Sequence, residues 1–216
     1  MVTFRTFATA DEWRAARTVI GGSDAAALVG LNPYKTNIEL WQEKTGRRTA
    51  PDISNEAFVK FGHDAEPLLR ELFALDHPQY DVGYVENNMF INDRYPFAHA
   101  SLDGWLTEKE TGRKGILEIK TTNILQSMQK EKWNDRIPDN YYCQILWYLM
   151  VTEFDFAVLK ARLRSEWQGE IRVTVRHYTI ERSEVQEDID ELERAGWKMW
   201  KAIQEDREPY LILPAI

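Results

Sequence analysis

Apolar residues recur with two different periods along the chain, and the change of period divides it. Over 54–76, Phe58, Leu68, Leu69, Leu72 and Phe73 follow a helical spacing, with Pro67 expected to kink or split the helix. From 82 to 120 the pattern shifts to short apolar runs, "VGYVE", "MFIN", "FAHASLDGWL" and "KGILEIKTT", separated by polar turns. These read as strands, and "TEKETGRK" reads as the hairpin loop joining the last two. Helices follow at about 123–134 and 139–151, then strands in "FDFAVLKARL" and "IRVTVRHYTI". Val185, Ile189, Leu192, Met199 and Ile203 mark a closing helix that starts at Ser183, with Gln186 as its capping partner. Nearer the N-terminus, "TADE" at 9–12 is a capping box for a helix reaching about Val19. "TNIE" at 36–39 is another, for a helix ending at Gly46. Ser23 is placed to cap a short helix stopped by Gly30. Helices, antiparallel strands, two helices, two strands and a helix give an α/β (α+β) fold, a central mixed sheet flanked by helices.

Composition narrows the class. The 216 residues are 44% hydrophobic and 12% aromatic, which suits a single domain over 1–216 with a sizeable core. Cys143 is the one cysteine, so no disulfide framework or multi-cysteine metal site is available within the chain. No apolar run approaches the roughly 20 residues of a spanning helix, and the first residues lack a signal peptide's apolar stretch. A soluble cytoplasmic protein is the expectation. The formal charge of -8 argues against indiscriminate nucleic-acid binding but leaves local patches open. Basic clusters occur at 44–48, 111–114 and 130–136, each equally readable as solvated surface.

The candidate chemistry lies in "GILEIKTTN", residues 115–123. Strand alternation sends Glu118 and Lys120 to one face, and Leu117 and Ile119 to the other. Asp103, in "ASLDGWL", can join Glu118 on its face if the two segments pair as a hairpin. Two adjacent carboxylates repel unless a cation lies between them. Hard oxygen ligands without a Cys or His cluster suit Mg²⁺ or Mn²⁺, and the backbone carbonyl of Ile119 could add a ligand. An ammonium at such a site can orient water and screen a phosphate's charge. The same spacing also arises as an acid–base pair on a solvated edge strand. Glu66 falls four residues after Gly62 on a helix, where it is either a further acid of the site or an exposed helix acid. Tyr141, Gln144 and Tyr148 form a polar stripe on one helix face, or tyrosines at a core edge. His63 reads as a surface residue, His99 as a neighbour of the Asp103 strand, and Cys143 as core.

Taken together, "RTVIGGSDAAALVG", "FVKFGHDAEPLLRELF", "AHASLDGWL", "GILEIKTTN" and "IPDNYYCQILWYLMVT" resemble the lambda-exonuclease/YqaJ-type viral recombinase family of the PD-(D/E)xK nuclease superfamily. They stand in family order over about 17–152. The resemblance implies a restriction-endonuclease-like core and a phage or prophage enzyme in a bacterial host. Such enzymes degrade one strand of linear duplex DNA from its 5′ end, with two Mg²⁺ ions. They leave a 3′ single strand for an annealing protein and assemble as a homotrimeric ring threaded by DNA. A ring can be acidic outside and basic within. Carried over by position, Asp103 and Glu118 are the principal metal ligands, and Lys120 positions the attacking water. Glu66 holds a second metal through water. Gln144 fixes water or phosphate, with Tyr141 and Tyr148 in support. Arg17 and Ser23 match a pair that holds the 5′ phosphate, and Asp93 falls where a further acid occurs. Leu102 stands where the superfamily motif has proline, which is not a ligand. The alternatives are a non-catalytic DNA-end-binding module of a recombination complex and a site-specific endonuclease on the same core.

Overall fold

The computed structural model describes residues 1–124 and 131–213. The N-terminal half carries β1 (Val2–Thr6), α1 (Ala10–Ala16), α2 (Gly22–Leu28), α3 (Asn37–Lys44) and α4 (Ala57–Asp76). Then come β2 (Tyr80–Gly83), β3 (Asn88–Asn92), β4 (His99–Ala100), β5 (Gly104–Glu108) and β6 (Lys114–Ile124). The C-terminal part has α5 (Asp139–Thr152), β7 (Phe156–Trp167), β8 (Glu170–Glu181) and α6 (Gln186–Gln204). A five-stranded sheet runs β2-β5-β6-β7-β8, and a small sheet runs β1-β3-β4. In the larger sheet β6 and β7 are parallel and the other pairs antiparallel, so the sheet is mixed, as the element order implies.

The alternating residues of β6 divide the core. Leu117 and Ile119 pack with Leu69 and Phe73 of α4 and with Leu106, Phe156 and Val158. Ile116 faces the larger cluster, which α5 dominates. Every residue of α5 from Cys143 to Thr152 is buried, because the sheet, α2 and α6 all pack against it. Ala25, Ala26 and Ala27 are buried where α2 meets α5, and their small side chains permit a close approach.

The β5–β6 ladder runs from Thr107–Lys114 to Gly104–Leu117 and stops there. β6 continues beside β7 as far as Ile124. β5 therefore peels away after Leu117 and leaves a notch at that edge of β6.

Several expected boundaries shift. The helix opened by Thr9 ends at Ala16, not Val19, and the chain then turns to bond Ile20 to Phe97 and His99. Ser23 is not the cap of α2; Gly21 holds that position, and Asp24 takes the Gly21 N–H. α4 runs unbroken through Pro67, which lies on its exposed side where water can satisfy the freed carbonyl. Residues 123–124 belong to β6, and residues 125–130 of the helix expected at 123–134 lie outside the described residues. α6 starts after a 3₁₀ turn at Arg182–Glu184, and Gln186 bonds Asp190, not a cap. β1, unanticipated, pairs with β3. Thr36 and Glu39 form the expected capping box. Among the described residues, no helix is long and apolar enough to cross a membrane.

α2 is anchored by a buried ionic cluster. Asp24 is 3.2 Å from Lys35 Nζ and 2.9 Å from Lys44 Nζ, and Lys35 also meets Glu43. Burial alone would raise the Asp24 carboxyl, but Lys44 and Lys35 outweigh it and hold the group below its ordinary value. Asp24→Asn should cost about 3–5 kcal/mol at pH 7, because two half-buried ammonium groups lose their shared partner. A depressed folded-state value stabilises the fold above the unfolded carboxyl's range and ceases to as pH falls through it. The gap between wild type and variant in urea unfolding should therefore narrow from pH 7 toward pH 3; a constant gap would show that the charge is not what matters.

Candidate active site

The notch is where the acidic side chains gather. Asp103 immediately precedes β5, and its Oδ2 accepts the Ile119 N–H at 2.8 Å, replacing the next rung of the ladder. Glu118 points to the α5 side. There Gln144 Nε2 donates to Glu118 Oε1 and to the Tyr148 hydroxyl, both at 2.8 Å. Lys120 Nζ lies 2.6 Å from Glu118 Oε1 and 5.2 Å from the centre of the Tyr141 ring. α4 brings Glu66 from the opposite side of the sheet. Arg70, one turn on, donates Nη2 to Glu66 Oε1 and Nε to the Asp103 carbonyl, each at 2.7 Å. Its guanidinium lies 3.4 Å from the centre of the Tyr84 ring. Gly62 permits this approach: a Cβ there would sit 3.2 Å from Thr121 Oγ1.

Among the described residues, three carboxyl groups therefore share the notch with two cations, Arg70 and Lys120, one acid more than those cations can offset. Burial and then the charge of Asp103 push Glu118 up to about 8. Burial raises Asp103 as well, and burial followed by Asp103 raises Glu66. Burial works against the Lys120 charge, yet Glu118 and Asp103 outweigh it and strengthen its hold on the proton. Among the described residues, buried Glu118 Oε2 has no hydrogen-bond partner. An orphaned carboxylate oxygen, an acid in excess of the cations and an all-oxygen donor set fit a hard divalent cation. No ready-made cluster of three or more acidic, His or Cys groups stands among the described residues, and Arg70 holds Glu66 aside. Asp103 and Glu118, whose charges act on each other, are the pair that could hold such an ion directly.

A second group of residues adjoins the first. A Cβ on Gly22 would come within 2.3 Å of the Tyr148 ring, so only glycine lets the start of α2 abut Tyr148. Just before it, Arg17 Nε lies 3.4 Å from His99 Nε2, and the guanidinium lies 4.4 Å from the centre of the Trp13 ring. His99 is buried, and burial, then Arg17 and Lys44, push it down to about 4. Ser23 is exposed on the first turn of α2.

Other candidates lie outside this network of bonds. Asp93 is exposed just after β3, where it pairs with the N-terminal amine at 3.4 Å. His63 is exposed on α4, close enough for its charge to act on Glu66. Cys143 is core, and burial pushes its thiol up to about 12, which leaves it unreactive. Of the basic clusters, Lys44, Arg47, Arg48 and Arg113 are committed to Asp24, Asp206, Glu39 and Glu181.

Arg70 escaped the reading of the sequence. Its signal was there, an acid followed by arginine at i,i+4 on a helix, but that spacing is common on solvated helices. The backbone bond to Asp103, thirty-three positions away, gives this pair its place in the site.

The YqaJ-like viral recombinase domain matches residues 12–155. YqaJ of Bacillus subtilis (strain 168) is 35% identical over 145 residues, which are 65% of this chain and 42% of that protein. The chain thus spans less than half the length of that relative. The alkaline exonuclease LHK-Exo from Laribacter hongkongensis superposes with a TM-score of 0.63 at 17% identity, covering 90% of this chain and 95% of that one. A phage-related exonuclease from Haemophilus somnus 129PT gives 0.53 at 13% identity, covering 87% and 96%. These likenesses are of fold. With the family match spanning α1 to the end of α5 and the site built within it, the chain belongs to the YqaJ-like viral recombinase family.

Proposed function

We propose that the chain is a single-domain, Mg²⁺-dependent exonuclease acting on the ends of linear double-stranded DNA. It hydrolyses one strand 5′ to 3′ and leaves 3′ overhangs for recombination by single-strand annealing. The observation that carries this reading is the convergence of Glu66, Asp103, Glu118, Lys120 and Gln144 on one notch from α4, the turn before β5, β6 and α5. Two structures sharing the fold belong to proteins named as exonucleases, and one of these proteins, LHK-Exo, was also solved with dAMP.

Asp103 and Glu118 would hold the cation, with the Ile119 carbonyl adding a ligand and Glu66 reaching a second ion through water. Bound Mg²⁺, or Mn²⁺ in its place, would supply Lewis-acid stabilisation at the scissile phosphate. Lys120 orients the attacking water and offsets charge developing on the phosphate. Both N–H groups of Gln144 are committed to Glu118 and Tyr148, so its carbonyl is left to accept a hydrogen bond from that water and orient it. Tyr148 fixes Gln144, and Tyr141 flanks Lys120. Arg17 and Ser23 would receive the 5′ phosphate beside Tyr148. A homotrimeric ring would confine basic groups to a channel and reconcile a charge of -8 with DNA as substrate. An annealing protein would take the exposed 3′ strand.

End-labelled linear duplex incubated with the protein and Mg²⁺ tests this. Label on the 5′ end should be released first as mononucleotide, while 3′ label stays on a shortening strand. Cutting of closed circular duplex would favour an endonuclease, and retarded but intact strands would favour an end-binding module.

A further inference from the structure

We infer that His99 is a positioning residue for Arg17, its ring nitrogen fixing the guanidinium so that the two Nη groups are left for a terminal phosphate. This rests on the reading of Arg17 as a contact of the 5′ phosphate. His99 is 2% exposed on β4, and its backbone is held on both sides. Its N–H donates to Ile20 O at 3.0 Å, and its carbonyl accepts from Trp147 Nε1 at 3.2 Å. The ring presses on Gly21, where a Cβ would lie 3.0 Å from both Cε1 and Nε2. A residue with a side chain at 21 would push the ring away from Arg17.

An arginine Nε always carries its proton, so the 3.4 Å contact requires a bare lone pair on His99 Nε2. The ring is then neutral with its proton on Nδ1, a placement assigned from the bond. Burial beside Arg17 and Lys44 favours that neutral form. Nδ1 itself is buried without a partner among the described residues. A core histidine kept only for packing would satisfy that nitrogen or be replaced by an apolar ring, since an unmade buried hydrogen bond is costly. The bond to Arg17 is what the imidazole provides that an apolar ring could not.

Trp13 completes the device. Its Nε1 is tied to Asn88 O at 3.0 Å, and its ring underlies the guanidinium. Trp13 sets the plane of the guanidinium and His99 sets its rotation within that plane. Among the described residues neither Nη group has a hydrogen-bond partner, and two parallel N–H donors suit a phosphate.

The test compares digestion rates on 5′-phosphorylated and 5′-hydroxyl duplex. His99→Phe, which keeps a ring but no acceptor, should lower the phosphate-to-hydroxyl rate ratio by about tenfold, as a misaligned contact does. His99→Gln, whose amide oxygen can take the same N–H, should keep the ratio within about threefold of wild type. His99→Phe added to Arg17→Ala should change the ratio no further. Equal loss on both ends in His99→Phe would mark a structural role only and overturn the inference. So would an unchanged ratio in His99→Phe when Arg17→Ala loses it. If Arg17→Ala itself keeps the ratio, the pocket reading fails first. Should His99→Phe not fold, the wild-type Arg17 Nε–H resonance decides. It should exchange with solvent far more slowly than in free arginine, and exchange as fast as free arginine would overturn the inference.

Discussion

Lys120→Ala is expected to slow strand hydrolysis by at least about 10²-fold while the fold stays intact and the stabilisation conferred by Mg²⁺ grows. The first half follows from the place of the ammonium, 2.6 Å from Glu118 on the face that also carries Gln144. Among the described residues no other cation is bonded to Glu118 there. The second half follows from counting charges. With Lys120 gone, three carboxyl groups share the notch with Arg70 alone among the described residues, so a bound cation relieves more repulsion than in the wild type. Single-turnover rates and thermal unfolding with and without Mg²⁺ would read the two halves separately. Wild-type turnover would remove Lys120 from the mechanism. A smaller Mg²⁺ effect would mean that the lysine helps to hold the ion.

Glu118→Gln is expected to do the reverse to the metal. Activity should fall by on the order of 10³-fold or more, as for loss of a group that stabilises the transition state's charge. The Mg²⁺-induced stabilisation, about 2.7 kcal/mol at a hundredfold excess over Kd, should vanish. The metal-free protein should be no less stable than wild type. Glutamine can still accept from Gln144, and the remaining Asp103 and Glu66 then balance Lys120 and Arg70. Calorimetric titration with Mg²⁺ and urea unfolding at fixed pH check this. Undiminished binding would displace Glu118 from the site.

How much of this could be read beforehand depended on the range of the interaction. The α3 cap, the β5–β6 hairpin, buried α5 and the shared face of Glu118 and Lys120 follow from local spacing, and the structure has all of them. β1 does not, because "VTFRT" is a half-exposed strand defined by its pairing with β3, more than eighty residues on. β6 outruns its expected end because β7 supports it in parallel through Ile124, and no turn signal marks that. Arg70 and His99 gain their roles from contacts with Asp103 and Arg17, thirty-three and eighty-two positions away. Asp93 shows the limit of spacing along the chain: the fold leaves it exposed just beyond β3, beside Met1.

Asp103 also does for Ile119 what a neighbouring strand would do, and it does so with an oxygen of the carboxylate proposed to bind metal. Sheet closure and chemistry thus depend on one side chain. Alanine at this position would strand an amide at an interior break in the sheet, the kind of unpaired edge that recruits a foreign strand. Asparagine could still accept the Ile119 proton while giving up the charge. A lineage abandoning catalysis could therefore drift to asparagine and remain well behaved, whereas drift to alanine would add an aggregation hazard to the lost activity.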